Sequence, residues 1–134
     1  MKDEVLTIEQ IQHLKKLGVE FKDTMLYWIH DRQFLSKDFL CTREMCNIYT
    51  KEPHKFESIS APTLQELTEM MPKFIFNHLN LIIRRKYDGS WIIEYEGEIR
   101  FENDLLLAVY GMICWLAENK LLGKEVMNEH NKTM

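Results

Sequence analysis

His30 and Asp31 stand side by side at the end of the run "TMLYWIHD", and Cys41 and Cys46 follow with four residues between them. A histidine beside a carboxylate can pass a proton. Two thiols at that spacing could supply half of a structural zinc site, with His30 and His54 as the remaining ligands. Each pattern also has a plainer reading. A structural zinc site asks for a second Cys pair or a spaced His pair. A polar pair leaving a strand serves more simply as the start of a turn. No Gly-x-Ser-x-Gly elbow, phosphate-binding glycine loop or His-Glu-x-x-His helix occurs, and the five glycines are never clustered. The residue types therefore point to no metal, no cofactor and no catalytic residue. A small enzyme built on His30, Asp31 and a cysteine is the alternative reading.

Arg84, Arg85 and Lys86 form the one basic run. With Trp91 nearby it could touch a nucleic acid, and this is a second alternative. The balance of charge argues against it. The net charge of −4 and pI of about 5.7 give no basic surface for nucleic acid or an anionic membrane. Three cysteines, an odd and sparse set, suit a reducing compartment better than a disulfide framework. The opening "MKDEVLTIEQ" lacks a basic segment followed by an apolar run, so no signal peptide is expected. The longest apolar stretch, Leu105 to Ala117, is well short of the roughly 20 residues that span a membrane. A cytoplasmic protein with no membrane partner is expected.

The elements that would carry these residues follow from periodicity. "LTIEQIQHLKKLG" reads as a helix with Ile8, Ile11, Leu14 and Leu17 on one side, a Thr7/Gln10 capping box and Gly18 as its stop. Thr24 to Ile29 reads as a strand. "CTREMCNIY" reads as a further strand and "TKEPHKFESISAP" as a loop. "PTLQELTEMMP" reads as a short helix ended by Pro72. From His78 to Phe101 the pattern is β. A three-residue loop with Gly89 in the left-handed conformation pairs Lys86 with Ser90. Leu79, Leu81, Ile83, Trp91, Ile93 and Tyr95 then share one face, with Arg85 at its end. Asn80, Ile82, Arg84, Lys86, Ile92, Glu94 and Glu96 share the other, where cross-strand ion pairs account for the basic run.

The last helix, from about Asn103 to Leu121, is apolar nearly all round. Leu105, Val109, Met112 and Leu116 form one stripe, and Leu106, Tyr110, Ile113 and Ala117 a second. Leu107, Gly111 and Cys114 form a third, which ends at Glu118. Two stripes suffice to cover a sheet. The third predicts burial against a second helix or another chain, and Gly111 would let another backbone approach closely. Leu107, Gly111 and Cys114 are therefore candidate interface residues for a homodimer. Tyr27 and Trp28 point to opposite faces of their strand, so one of them is a candidate exposed contact.

Four segments in this order, "LTIEQIQHLKKLGV", "TMLYW", "PTLQELTEMMP" and "LLLAVYGMICWLAENKLLGK", give the chain a resemblance. It resembles a group of small proteins of uncharacterised function from gut Bacteroidales and their prophages and mobile elements. Those proteins share a similar opening helix, a "TLQ" helix ending in Met-Pro, and a closing Ala-x-Tyr-x-Met-x-x-Trp-x-x-Glu-Asn helix. The match covers most of the chain and is least between Ile29 and Ile59. The resemblance implies a cytoplasmic accessory protein of phage or mobile-element type, and it carries over no catalytic residue.

The expected fold is α+β: a small antiparallel sheet packed against a long buried C-terminal helix, with two shorter flanking helices. Residues 1–123 are expected to form a single domain and residues 124–134 a polar, frayed tail. The expected function is non-enzymatic, by protein–protein binding to a host or phage protein.

Overall fold

The computed structural model describes residues 5–22, 24–32, 38–76, 79–95 and 97–123. The expected tail, 124–134, lies outside them, as does most of the connection after Asp31. The class is α+β, with four helices and two antiparallel sheets among the described residues. The chain divides into two compact units. One comprises residues 1–12 and 21–63, the other residues 13–20 and 64–134.

Helix α1, Ile8–Lys16, begins in a reciprocal capping box. The Thr7 N–H donates to Gln10 Oε1 at 2.9 Å, and the Gln10 N–H donates to Thr7 Oγ1 at 3.2 Å. It ends where Gly18 takes φ +94°, with the Gly18 N–H on the Lys15 carbonyl and the Val19 N–H on the Leu14 carbonyl, both at 3.0 Å. That paired closure needs a left-handed residue, which glycine supplies without a Cβ clash.

The first unit is built on a three-stranded sheet. Strand β1, Leu26–Asp31, runs between β2, Phe39–Thr42, and β3, Phe56–Ala61. Helix α2, Arg43–Tyr49, lies against all three. Two expectations are corrected here. The segment "CTREMCNIY" is the end of β2 followed by a helix. Thr42 leaves the strand extended and caps α2, its Oγ1 accepting from the Met45 N–H at 3.4 Å. The polar stretch read as a loop contains β3, whose Ile59 and Ala61 are buried. Tyr49 stacks edge-on against Phe39 and Phe56, which fixes α2 over the face carrying Tyr27, Ile29 and Cys41.

The second unit has a four-stranded sheet in the order β4-β5-β6-β7, where β4 is Phe74–Ile75, β5 Leu79–Arg85, β6 Trp91–Tyr95 and β7 Glu98–Glu102. Helices α3, Leu64–Met70, and α4, Leu105–Glu118, complete it. The β5–β6 turn has the expected register. Arg85 pairs with Trp91, the Lys86 N–H donates to the Ser90 carbonyl at 2.8 Å, and Gly89 has φ +91°. Asp88 Oδ1 accepts from the Ser90 N–H and hydroxyl and tightens the loop.

Asp104 caps α4, its carboxylate accepting from the Leu106 N–H at 3.0 Å. The helix lies against β6, β7 and α3. Leu106, Val109, Met112, Ile113, Leu116 and Ala117 are buried, together with Ile93 and Tyr95 of the sheet. The expected single sheet is thus two sheets, and the described residues include three helices shorter than α4, not two. No helix among the described residues is long and apolar enough to cross a membrane.

Candidate functional site

Strand alternation separates the residues that could have formed an enzyme. His30 shares a face of β1 with Leu26 and Trp28, and Asp31 and Cys41 belong to the other face. The imidazole bonds to a different carboxylate, with His30 Nδ1 2.7 Å from Asp38 Oδ1, and Glu57 faces it across β3. This pair is a third exposed, and Cys41 lies on the opposite face of the sheet.

Cys41 and Cys46 come together because they flank the start of α2. With Thr42 as the cap, they hold the two positions that a hydrophobic staple uses. Burial pushes the Cys41 thiol up to about 11, and the neighbouring Cys46 sulfur adds to the shift. Such a thiol is a poor nucleophile near neutrality. Among the described residues no group of three His, Cys, Asp or Glu side chains gathers to hold a metal ion.

The basic run is split by the same alternation. Arg85 turns to the α4 side of the sheet and lies over the Trp91 ring, 5.4 Å from its centroid. Arg84 and Lys86 turn outward. Arg84 Nε is 3.5 Å from Glu94 Oε1, the cross-strand pair expected from the register, and Lys86 Nζ is 4.4 Å above the Phe101 ring.

Of the expected contact residues, Tyr27 and Trp28 are both half-buried. Tyr27 faces α2, while the Trp28 indole donates to the Leu6 carbonyl at 2.9 Å. Leu107 is 42% exposed. Gly111 admits a side chain, not the backbone that was expected: a Cβ there would lie 3.4 Å from Arg100 Cδ. Cys114 is half-buried. Burial raises its thiol pKa, and the Tyr110 hydroxyl bonded to its sulfur lowers it in part.

Among the described residues, half-exposed apolar side chains gather on the outer face of the four-stranded sheet, around a buried Ile92. Directly paired residues share a face, so Phe74 lies beside Asn80, Ile82 beside Glu94 and Ile99, and Arg84 beside Ile92 and Phe101. Phe74, Ile82, Ile99 and Phe101 are exposed by 52, 46, 50 and 53%. A lone exposed Ile is ordinary. Four neighbouring apolar side chains around one ion pair form a patch, and patches of that kind mark contact sites. The alternation of β5 and β6 placed Ile82, Arg84, Ile92 and Glu94 on this face from sequence. The contributions of Phe74, Ile99 and Phe101 were missed, although "EIRFE" alternates charged and apolar residues in the same way.

Compared with protein-family models, with curated proteins and with solved structures, the chain matches none.

Proposed function

We propose that this chain is a non-enzymatic binding protein that acts by contact with another protein, through the outer face of the β4–β7 sheet. One observation carries the reading: Phe74, Ile82, Ile99 and Phe101 lie together half-exposed on that face, away from the side that α4 covers. In this reading α4 is the buried backing of the sheet. It leaves the outer face free to exchange water for a partner, with the Arg84–Glu94 pair and Lys86 giving orientation. The resemblance to proteins of gut Bacteroidales and their prophages and mobile elements supports a partner from the host or phage, met in the cytoplasm. The separation of His30 from Asp31 and Cys41 weighs against an enzyme built on them. The division of Arg84 and Lys86 from Arg85 weighs against nucleic acid.

The test is co-purification of the tagged chain from a host extract, with Ile82→Lys as the matched variant. The introduced ammonium would face Glu94, so the fold is retained. A stoichiometric protein captured by the native chain and lost from the variant is the expected result. Equal capture by both would refute the reading.

A further inference from the structure

The β7 edge carries a second feature, which rests on the contact reading above and names an occupant for one border of that surface. We propose that β7 pairs antiparallel with β7 of a second copy of this chain, about a two-fold axis at Phe101.

Strand β7 is an edge: β6 is its one strand neighbour among the described residues. Exposed edges are commonly blunted by a bulge, a proline, a short strand or charged side chains. Here five consecutive residues pair with β6 in unbroken register, and the charges Glu98, Arg100 and Glu102 alternate in sign, so they repel an apolar strand and can be matched by a second copy of the same one. Ile99 and Phe101 stand half-exposed along this edge.

The sequence Glu98-Ile99-Arg100-Phe101-Glu102 selects both the partner and the register. An antiparallel copy can keep apolar residues on one face with the axis at Ile99, Arg100 or Phe101. An axis at Arg100 would set Arg100 against its own copy and Glu98 against Glu102. An axis at Ile99 would set Arg100 against Glu98, whose carboxylate already accepts from Arg100 Nη1 in the same strand at 2.9 Å. An axis at Phe101 sets Arg100 opposite Glu102 twice. Glu102 is exposed and makes no ion pair among the described residues. The same axis brings the two Phe101 rings directly opposite, each under its own Lys86. Opposite charges and paired aromatics are the cross-strand combinations that stabilise an antiparallel ladder. The result is an eight-stranded sheet, joined through Arg100, Phe101 and Glu102 of each copy, that brings the two outer faces together.

The register is tested by cysteine cross-linking of the full chain. Directly opposed antiparallel residues have Cα atoms about 4.5–5.5 Å apart, within reach of a disulfide. Under dissolved oxygen, Phe101→Cys is expected to give a covalent dimer on a non-reducing gel. The native chain with its own three cysteines, and Ile99→Cys, are expected to give none. Sedimentation of the native chain is expected to show a reversible dimer. Glu102→Arg, which places a second cation opposite Arg100, is expected to weaken it about tenfold with an unchanged melt.

A native chain that stays monomeric at every concentration, or preferential cross-linking of Ile99→Cys, would overturn the proposal. Either result together with loss of partner capture by Ile82→Lys would remove self-pairing and leave the contact function standing. Cross-linking at Phe101 with capture unaffected by Ile82→Lys would do the reverse.

Discussion

Arg100 of β7 crosses α4 at Gly111. A Cβ on that glycine would lie 3.4 Å from Arg100 Cδ and 3.7 Å from Cγ and Nε. The apolar run of α4 therefore does not need a second chain at Gly111, because the protein's own arginine lies there. Arg100 is held from its other end by Glu98, at 2.9 Å. Its side chain is still a third exposed and can give by a few tenths of an ångström. Gly111→Ala is expected to stabilise the chain by up to about 1 kcal/mol through helix propensity. Gly111→Leu, which must displace Arg100, is expected to destabilise it. Urea unfolding of both variants checks the pair.

The closures of α1 and α4 use the same hydrogen-bond pattern with different residues. At the end of α4 the Lys120 N–H bonds to the Ala117 carbonyl at 3.1 Å and the Leu121 N–H to the Leu116 carbonyl at 2.8 Å, with Lys120 at φ +57°. A lysine pays for that conformation and a glycine does not. Lys120→Gly is expected to gain about 1 kcal/mol, and Gly18→Ala to lose about 1 kcal/mol. Opposite shifts in the urea midpoint are the readout.

Tyr95 is fully buried, and its hydroxyl donates to the Pro72 carbonyl at 2.6 Å. Burial pushes its pKa well up, so the phenol stays neutral and the bond persists across the working range of pH. Tyr95→Phe leaves that carbonyl without its donor and is expected to cost about 1–3 kcal/mol. A change in urea midpoint with unchanged slope would identify this loss.

Cys41 gives the pH prediction. Burial, with Cys46 beside it, raises its folded pKa from 9.0 to about 11. The unfolded chain releases this proton first as pH rises. The contribution to stability is therefore fully present below the unfolded value and is lost as pH climbs through the folded one. Cys41→Ser is expected to flatten the fall in stability between those two values. Alkylation of Cys41 in the folded chain is expected to reach half its limiting rate near the raised value. A midpoint at the ordinary thiol value would contradict the burial.

The legible parts of the fold were those fixed by neighbours in sequence. Thr7 and Gln10 sit three apart and bond reciprocally, and the three-residue loop Tyr87-Asp88-Gly89 sets the β5–β6 register. The missed parts depend on distant pairing. Ser58 and Ser60 have little intrinsic preference for a strand, and β3 forms because it pairs along the whole of β1. Helix α2 was hidden by Cys41 and Cys46, which look like strand residues until Thr42 is seen as a cap. Nothing local separates β1 from the later strands, so two sheets were read as one. The outer face was half legible for the same reason. Its β5–β6 part follows from one hairpin, whereas β4 joins by pairing Phe74 with Asn80.

The central claim is tested most directly by comparing Ile82→Lys and Leu107→Glu for capture of the co-purifying protein, at equal fold stability. Ile82 lies on the outer sheet face and Leu107 on the exposed stripe of α4. The account predicts that Ile82→Lys abolishes capture and Leu107→Glu leaves it intact. Capture lost with Leu107→Glu and kept with Ile82→Lys would contradict it and move the contact surface to α4.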